Sequence, residues 1–262
     1  MFDAHVHLHD QKLSATLDRI VAEAAAAGVT GVCSCGTRPE DWPSTQALLN
    51  RHFPFVCVPG FGVHPWYADK LPDSWIETLE GYLDINPVAV VGEIGLDGVR
   101  DAVPADVQEK VLVAQLELAA RLARPVILHG ARAWGRLVDV MRVYARKVPG
   151  FVAHGFGGSS EILKSIIDMG GYVSFAGSVC NPKAVKIRAA ACETPDSQIL
   201  VETDAPDLFP KGGKLAGTGA GGKPLNQPCN LKLVVGQVAA LRGIEPDTLA
   251  DLTGVNARRV LL

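Results

Sequence analysis

Short apolar runs alternate along this chain with longer segments whose apolar residues recur at helical spacing. The runs cover residues 2–8, 29–36, 55–64, 89–97, 125–130, 151–156, 172–177 and 199–206. Between them the spacing predicts a helix over 12–28 that stops at Gly28, and a helical stretch opening near Pro39. Further helices are predicted over 73–85, 105–123, 134–146, 160–169 and 183–191. In the 105–123 segment Leu112, Leu116, Ala119 and Leu122 fall on one side. Apolar cores such as Ala89-Val90-Val91 and Val126-Ile127-Leu128 do not alternate with polar residues, so they suit parallel strands buried on both faces.

Eight strand–helix units with short connections predict an α/β fold, a (β/α)8 TIM barrel, as a single domain spanning 1–262. An open doubly wound sheet is the second reading. No G-x-G-x-x-G follows the first run, which weakens a dinucleotide site. The rhythm breaks at 208–226, a Gly- and Lys-rich segment with no apolar period. It reads equally as a solvated flexible loop or as a mobile loop that contacts substrate. The tail, 229–262, reads as two helices closing with an Asn-Ala-Arg-Arg surface turn.

Hydrophobic residues are 48% of the 262, enough to bury a large core, which excludes a disordered chain. The net charge of −3 gives no global basic field for nucleic acid. Cys33, Cys35, Cys57, Cys180, Cys192 and Cys229 form no C-x-x-C pair and read as buried, reduced thiols. The N-terminus lacks a basic stretch followed by an apolar run, and no segment reaches about 18 consecutive apolar residues. A cytoplasmic protein without signal peptide or membrane span is therefore expected, with a monomer the favoured state.

Histidines and carboxylates gather where a barrel carries its chemistry. His5 and His7, two apart on the first strand, share one face. Glu93 lies in the fourth strand segment, His129 ends the fifth, His154 the sixth and Asp204 the eighth. Taken singly, each has a bland explanation: a hydrogen-bonded core histidine, half of a buried ion pair, a helix cap. Apolar strands do not normally end in such groups without partners, and five strands do so toward one rim. The set predicts a metal site of His5, His7, Glu93, His129, His154 and Asp204. Six ligands exceed what one catalytic tetrahedral Zn2+ with an open position takes. They suit two divalent ions, Mg2+, Mn2+ or Zn2+, with Glu93 as the bridge. Asp204 and Glu93 are then the expected catalytic residues, Asp204 holding or deprotonating the attacking water in a hydrolysis. His64 ends the third strand toward the same rim and is the candidate substrate-binding residue, with packing beside Trp66 the alternative. His9 reads as a rim residue and His52 as structural.

The segments FDAHVHL at 2–8, GVHPW at 62–66 and GEIGLD at 92–97 also carry a resemblance. With PVILH at 125–129, HGFGGS at 154–159, ETDAPDL at 202–208 and NQP at 226–228, the chain resembles the TatD family of metal-dependent hydrolases. The family lies within the amidohydrolase-like barrels, and the motifs occur in its order across nearly the whole chain. Its members are barrels described as Mg2+- or Mn2+-dependent deoxyribonucleases. The resemblance implies that His5, His7 and Asp204 serve one ion and His129 and His154 the other, with Glu93 between. It also implies that His64 approaches the scissile phosphate. The surroundings depart from the family pattern. Gly130-Ala131-Arg132-Ala133 replaces Ser-Arg-Asp-Ala, Gly98 replaces an aromatic residue, and Asp207 stands where Tyr is frequent. Leu225 and Gln227 replace a basic and an acidic residue around Asn226.

The leading expectation is hydrolysis of phosphodiester bonds in DNA or nucleotides, with Lys211, Lys214, Lys223 and Arg132 as candidate contacts to the strand. An amide or ester hydrolase is the second expectation. The wider superfamily often places a carbamylated lysine on strand four, where this chain has Glu93. A metal-binding adaptor without catalysis is the third.

Overall fold

The computed structural model describes residues 1–100 and 102–262. Eight parallel strands follow chain order in one sheet. They are β1 (Phe2–Val6), β2 (Gly31–Cys35), β3 (Val56–Phe61), β4 (Val90–Gly95), β5 (Val126–His129), β6 (Phe151–Ala153), β7 (Tyr172–Phe175) and β8 (Ile199–Val201). The sheet curls into a single-domain (β/α)8 barrel, as the alternation of runs predicts. Phe2, Ala4, Cys33, Cys35, Val58, Val90, Ile127, Val152 and Leu200 fill its interior. A second, larger core lies between the strands and the helices.

Those helices are α1 (Gln11–Ser14), α2 (Leu17–Ala26), α3 (Trp42–Leu48), α4 (Trp75–Ile85), α5 (Ala105–Arg121), α6 (Trp134–Tyr144), α7 (Ser160–Asp168) and α8 (Val185–Glu193). Two more, α9 (Leu231–Arg242) and α10 (Pro246–Leu261), form the tail. The helix expected over 12–28 is two helices. Thr16 between them leaves helical geometry at φ −122°, and its hydroxyl donates to the Leu13 carbonyl instead.

Two irregularities aim the strands. The β1–β2 register shifts between Asp3 and Val6, and the β4–β5 register between Val91 and Ile94. Ala4 and Val90 pack in the barrel interior, whereas Val6, Val91 and Ile94 pack outside it. The shifts turn the intervening His5 and Glu93 inward, a re-aiming that strict alternation does not provide. At Gly95 (φ +152°) β4 passes so close to β5 that a Cβ would lie 2.0 Å from the His129 carbonyl oxygen.

The barrel closes through a seam beyond the ordered ends of β1 and β8. The His7 amide donates to the Ala205 carbonyl (2.8 Å) and the Asp204 amide to the His5 carbonyl (3.0 Å). The buried Asp3 carboxylate accepts from the Thr203 amide (2.8 Å) and hydroxyl (2.5 Å). Burial lifts the Asp3 pKa to about 8 against those two hydrogen bonds.

Three further expectations change. Segment 208–226 holds a short hairpin that its sequence does not suggest. Gly217–Thr218 (β9) pairs antiparallel with Pro224–Leu225 (β10), Ala216 and Leu225 are buried, and Asn226 Nδ2 donates to the Thr203 carbonyl (2.9 Å). The Asn-Ala-Arg-Arg stretch is not a surface turn but part of α10. Its Asn256 is buried and donates to the carbonyls of Asp196 (2.7 Å) and Ile199 (3.0 Å). All six cysteines are free, yet only Cys33, Cys35 and Cys229 are fully buried, and Cys192 is exposed. Among the described residues no helix is long and apolar enough to cross a membrane.

Candidate metal centre

At the C-terminal mouth of the barrel all six predicted ligands converge, although His7, His154 and Asp204 lie just past the ordered ends of their strands. Glu93 sits at the middle, buried, with its two carboxylate oxygens facing different partners. Oε2 lies 3.2 Å from His5 Nε2 and 3.4 Å from His7 Nε2. Oε1 lies 2.8 Å from His154 Nε2, 2.9 Å from His129 Nδ1 and 3.4 Å from His64 Nε2. Asp204 Oδ1 joins the first side, 3.5 Å from His5 Nε2 and 3.4 Å from His7 Nε2.

The donor chemistry fits cations. His5 Nε2 and His7 Nε2 face each other at 3.2 Å, and His129 Nδ1 faces His154 Nε2 at 3.3 Å. Two imidazole nitrogens can share only one proton, so these pairs and two carboxylates bring together more lone pairs than protons can satisfy. The charge states express the same demand. Burial would raise Glu93, but His154, His64 and His5 around it hold it well below the usual carboxylate range. Burial opposes charge on His7 and His154 too. Asp204 and Glu93 nevertheless raise His7 to about 9, and Glu93 with Glu202 raises His154. His5 goes the other way, lowered to about 4 by burial and by the charge of His154. A divalent cation bound here would supply positive charge while leaving the imidazoles neutral, as ligation requires.

Second partners orient the rings. His7 Nδ1 bonds the Cys35 carbonyl (2.7 Å), and His129 Nε2 bonds Asp97 Oδ2 (2.9 Å). His154 Nδ1 faces Glu202 Oε1 (3.4 Å), which also accepts the Gly155 amide (2.6 Å). Asp97 further accepts from Trp66 Nε1 (2.9 Å) and from the amides of Val99 (2.7 Å) and Arg100 (3.0 Å). Burial acts against the Asp97 charge, but His129 and these amides hold its pKa far below the usual value. Sequence reasoning assigned no role to Asp97 or Glu202, although both lie inside the quoted GEIGLD and ETDAPDL motifs. The usable signal is that a ligating imidazole needs an acceptor for its other nitrogen.

His64 follows Val63, whose backbone is clamped by α5. The Val63 amide donates to Gln115 Oε1 (2.7 Å) and Gln115 Nε2 donates to the Val63 carbonyl (3.2 Å). One heptad earlier on the same helix Gln108 grips Asp97 in the same way, at 2.8 and 3.1 Å. The Trp66 amide donates to His64 Nδ1 (3.2 Å), which puts the proton of a neutral ring on Nε2. Burial keeps that ring neutral by pulling its pKa well below the ordinary value.

A cavity of about 670 Å³ opens above the cluster, lined in part by His7, His64, Trp66, Tyr67, Asp204 and Leu208. His9 lines it as well, buried beside Asp41 at 3.8 Å. His52 is exposed and does not line it. The predicted strand contacts fare unevenly. Lys214 pairs with Glu23 (2.9 Å), Lys223 with Asp207, and exposed Arg132 is absent from the lining.

Comparison with known proteins identifies the lineage. A family model described as TatD related DNase matches residues 2–262. A 3'-5' ssDNA/RNA exonuclease TatD from Yersinia pseudotuberculosis is 34% identical, over 99% of this chain and 98% of that protein. One from Dickeya dadantii is 35% identical, over 99% and 97%. The crystal structure of a TatD homologue from Escherichia coli K12 superposes with a TM-score of 0.89 at 29% identity, over 99% of this chain and 97% of that one. A TatD-family hydrolase structure from Entamoeba histolytica, at 17% identity and a TM-score of 0.87, shares the fold. Matched from one end to the other, the chain belongs to the TatD-related DNase family.

Proposed function

We propose that this protein is a metal-dependent phosphodiesterase that removes nucleotides from an end of single-stranded DNA or RNA, using two divalent cations. The observation that carries this is the division of Glu93, one oxygen toward His5 and His7 and the other toward His129 and His154. His5, His7 and Asp204 would hold one cation and His129 and His154 the other, with Glu93 shared. Cations bound there would acidify a water and neutralise charge on the phosphate oxygens. All six ligands come from one chain, so the centre needs no partner subunit. The substrate class follows the activity named for relatives of matching length.

The chain's own groups then have definite tasks. Asp204, 14% exposed to the cavity, takes the proton of the attacking water. His64 presents its Nε2–H toward the scissile phosphate, its ring fixed by the Trp66 amide. Asp97 and Glu202 keep His129 and His154 in the ligating tautomer.

The test uses purified protein, a 12-nucleotide single strand with Mg2+ or Mn2+, an amide panel, and elemental analysis. Asp204→Asn should lower turnover on the strand by at least about 100-fold, the scale of general-base catalysis, with the fold intact. Two ions per wild-type chain are expected. Hydrolysis confined to amides, or turnover unchanged by Asp204→Asn, would refute the reading.

A further inference from the structure

The catalytic cavity does not end at Leu208. The same residue borders a second depression of about 520 Å³, lined by Gly177, Ser178, Asn181, Lys183, Phe209 and Lys211 among others. Its walls are the 177–181 turn after β7 and the 208–211 segment after β8. These walls meet tightly, since a Cβ on Gly177 would lie 2.1 Å from the Leu208 carbonyl oxygen. The depression is therefore part of the fold and stands directly beside the mouth.

Its charge sets it apart from three other basic residues of the rim. Lys12 is held by Asp10 (3.0 Å), Arg38 by Asp41 (3.4 Å) and Lys223 by Asp207. Lys183 and Lys211 are exposed, and neither has a carboxylate within ion-pair distance among the described residues. Phe209, half-buried in the same depression, offers an aromatic surface, and Ser178 and Asn181 offer hydrogen-bonding groups. Unpaired cations beside an aromatic ring form the pattern that tracks a single strand without reading its sequence.

We infer that this depression is a strand-binding subsite. It takes the phosphates of nucleotides one or two places from the scissile bond, after the strand leaves the metal centre over Leu208. The inference rests on the nuclease reading above and adds a path for the substrate. It explains how a chain with net charge −3 holds a polyanion: two free cations are placed where the strand exits.

The experiment compares wild type with Lys183→Gln/Lys211→Gln, both checked for folding by circular dichroism. Fluorescence anisotropy measures binding of the metal-loaded proteins to a labelled 12-nucleotide phosphorothioate oligothymidylate across a salt series. Steady-state kinetics compares the ordinary 12-mer with a dinucleotide. Losing two phosphate contacts should lower the slope of log K against log salt by about 1.4, since each single-strand contact contributes about 0.7. At 0.1 M salt that corresponds to roughly 25-fold weaker binding, tenfold raised to the power 1.4. The preference for 12-mer over dinucleotide in kcat/KM should collapse with it. A folded double variant that keeps the salt slope and the length preference would overturn the subsite while leaving the nuclease reading standing. A wild type that binds the 12-mer with the expected salt response but cleaves neither length would support the subsite and refute the nuclease reading. A wild type that does neither would refute both.

Discussion

Replacing Gln115 with methionine removes one buried amide while keeping a side chain of similar length and volume. The amide accepts from the Val63 amide at 2.7 Å and donates to the Val63 carbonyl at 3.2 Å, with a further contact to the Val111 carbonyl of its own helix at 3.3 Å. Val63 is 1% exposed, so water does not replace them. Each backbone group left buried and unpaired costs about 1–3 kcal/mol, and the two together about 2–6 kcal/mol. A domain of about 5–15 kcal/mol total stability survives most of that range. Urea unfolding should therefore show a lower midpoint at unchanged slope. The second consequence is catalytic. With Val63 released, His64 loses its fixed position, and a displacement of about 1 Å is enough to cost about 100-fold in rate. Measuring kcat/KM on a single-stranded oligonucleotide for Gln115→Met, His64→Ala and the double variant separates the two effects. If Gln115 acts through His64, its effect on kcat/KM disappears in the His64→Ala background. A stability loss below about 1 kcal/mol would refute the reasoning, because a clamp on buried backbone cannot be that cheap.

Glu202→Gln should weaken Mn2+ binding at the His154 side by about 10–100-fold, because a neutral amide that can turn its NH2 toward Nδ1 replaces the charged acceptor facing the ring; isothermal titration calorimetry reads this, and an unchanged affinity would remove Glu202 from the centre. Asn256→Leu should leave the buried Ile199 carbonyl without this donor, costing about 1–3 kcal/mol and lowering Tm by about 2–4 °C for each kcal/mol lost, as calorimetry can follow. Mn2+ at about 100 times its Kd should stabilise the folded protein by about 2.7 kcal/mol, visible as a Tm that rises with metal concentration and falls back with chelator.

Much of the barrel could be read from the chain because its strands are buried on both faces and appear as uninterrupted apolar runs. The candidate ligands were legible for a related reason. An imidazole or carboxylate at the end of such a run is costly unless it has a partner, so His5, Glu93, His129 and Asp204 stood out. What escaped depends on contacts between distant residues. The register shifts that turn His5 and Glu93 inward are properties of strand pairs and leave no trace in either strand alone. Asn256 looked like surface because it is polar and lies among arginines. It is buried because it bonds two carbonyls 57 and 60 residues earlier, Ile199 at the start of β8 and Asp196 in the turn before it. Gln108 and Gln115 escaped similarly: on a helix of mixed polarity an inward glutamine resembles an outward one until the backbone it grips is in view. The 208–226 segment hid its hairpin because its anchors, Ala216 and Leu225, are too sparse to form a period.

The stitching between Asp3–His7 and Thr203–Ala205 has a bearing on how the protein is born. A ribosome delivers the first two imidazoles of the centre within seven residues and the last carboxylate only at position 204. A fragment that stops short of that point lacks Asp204 from the candidate set. The candidate site is therefore completed only when the residues following the closing strand meet the opening one.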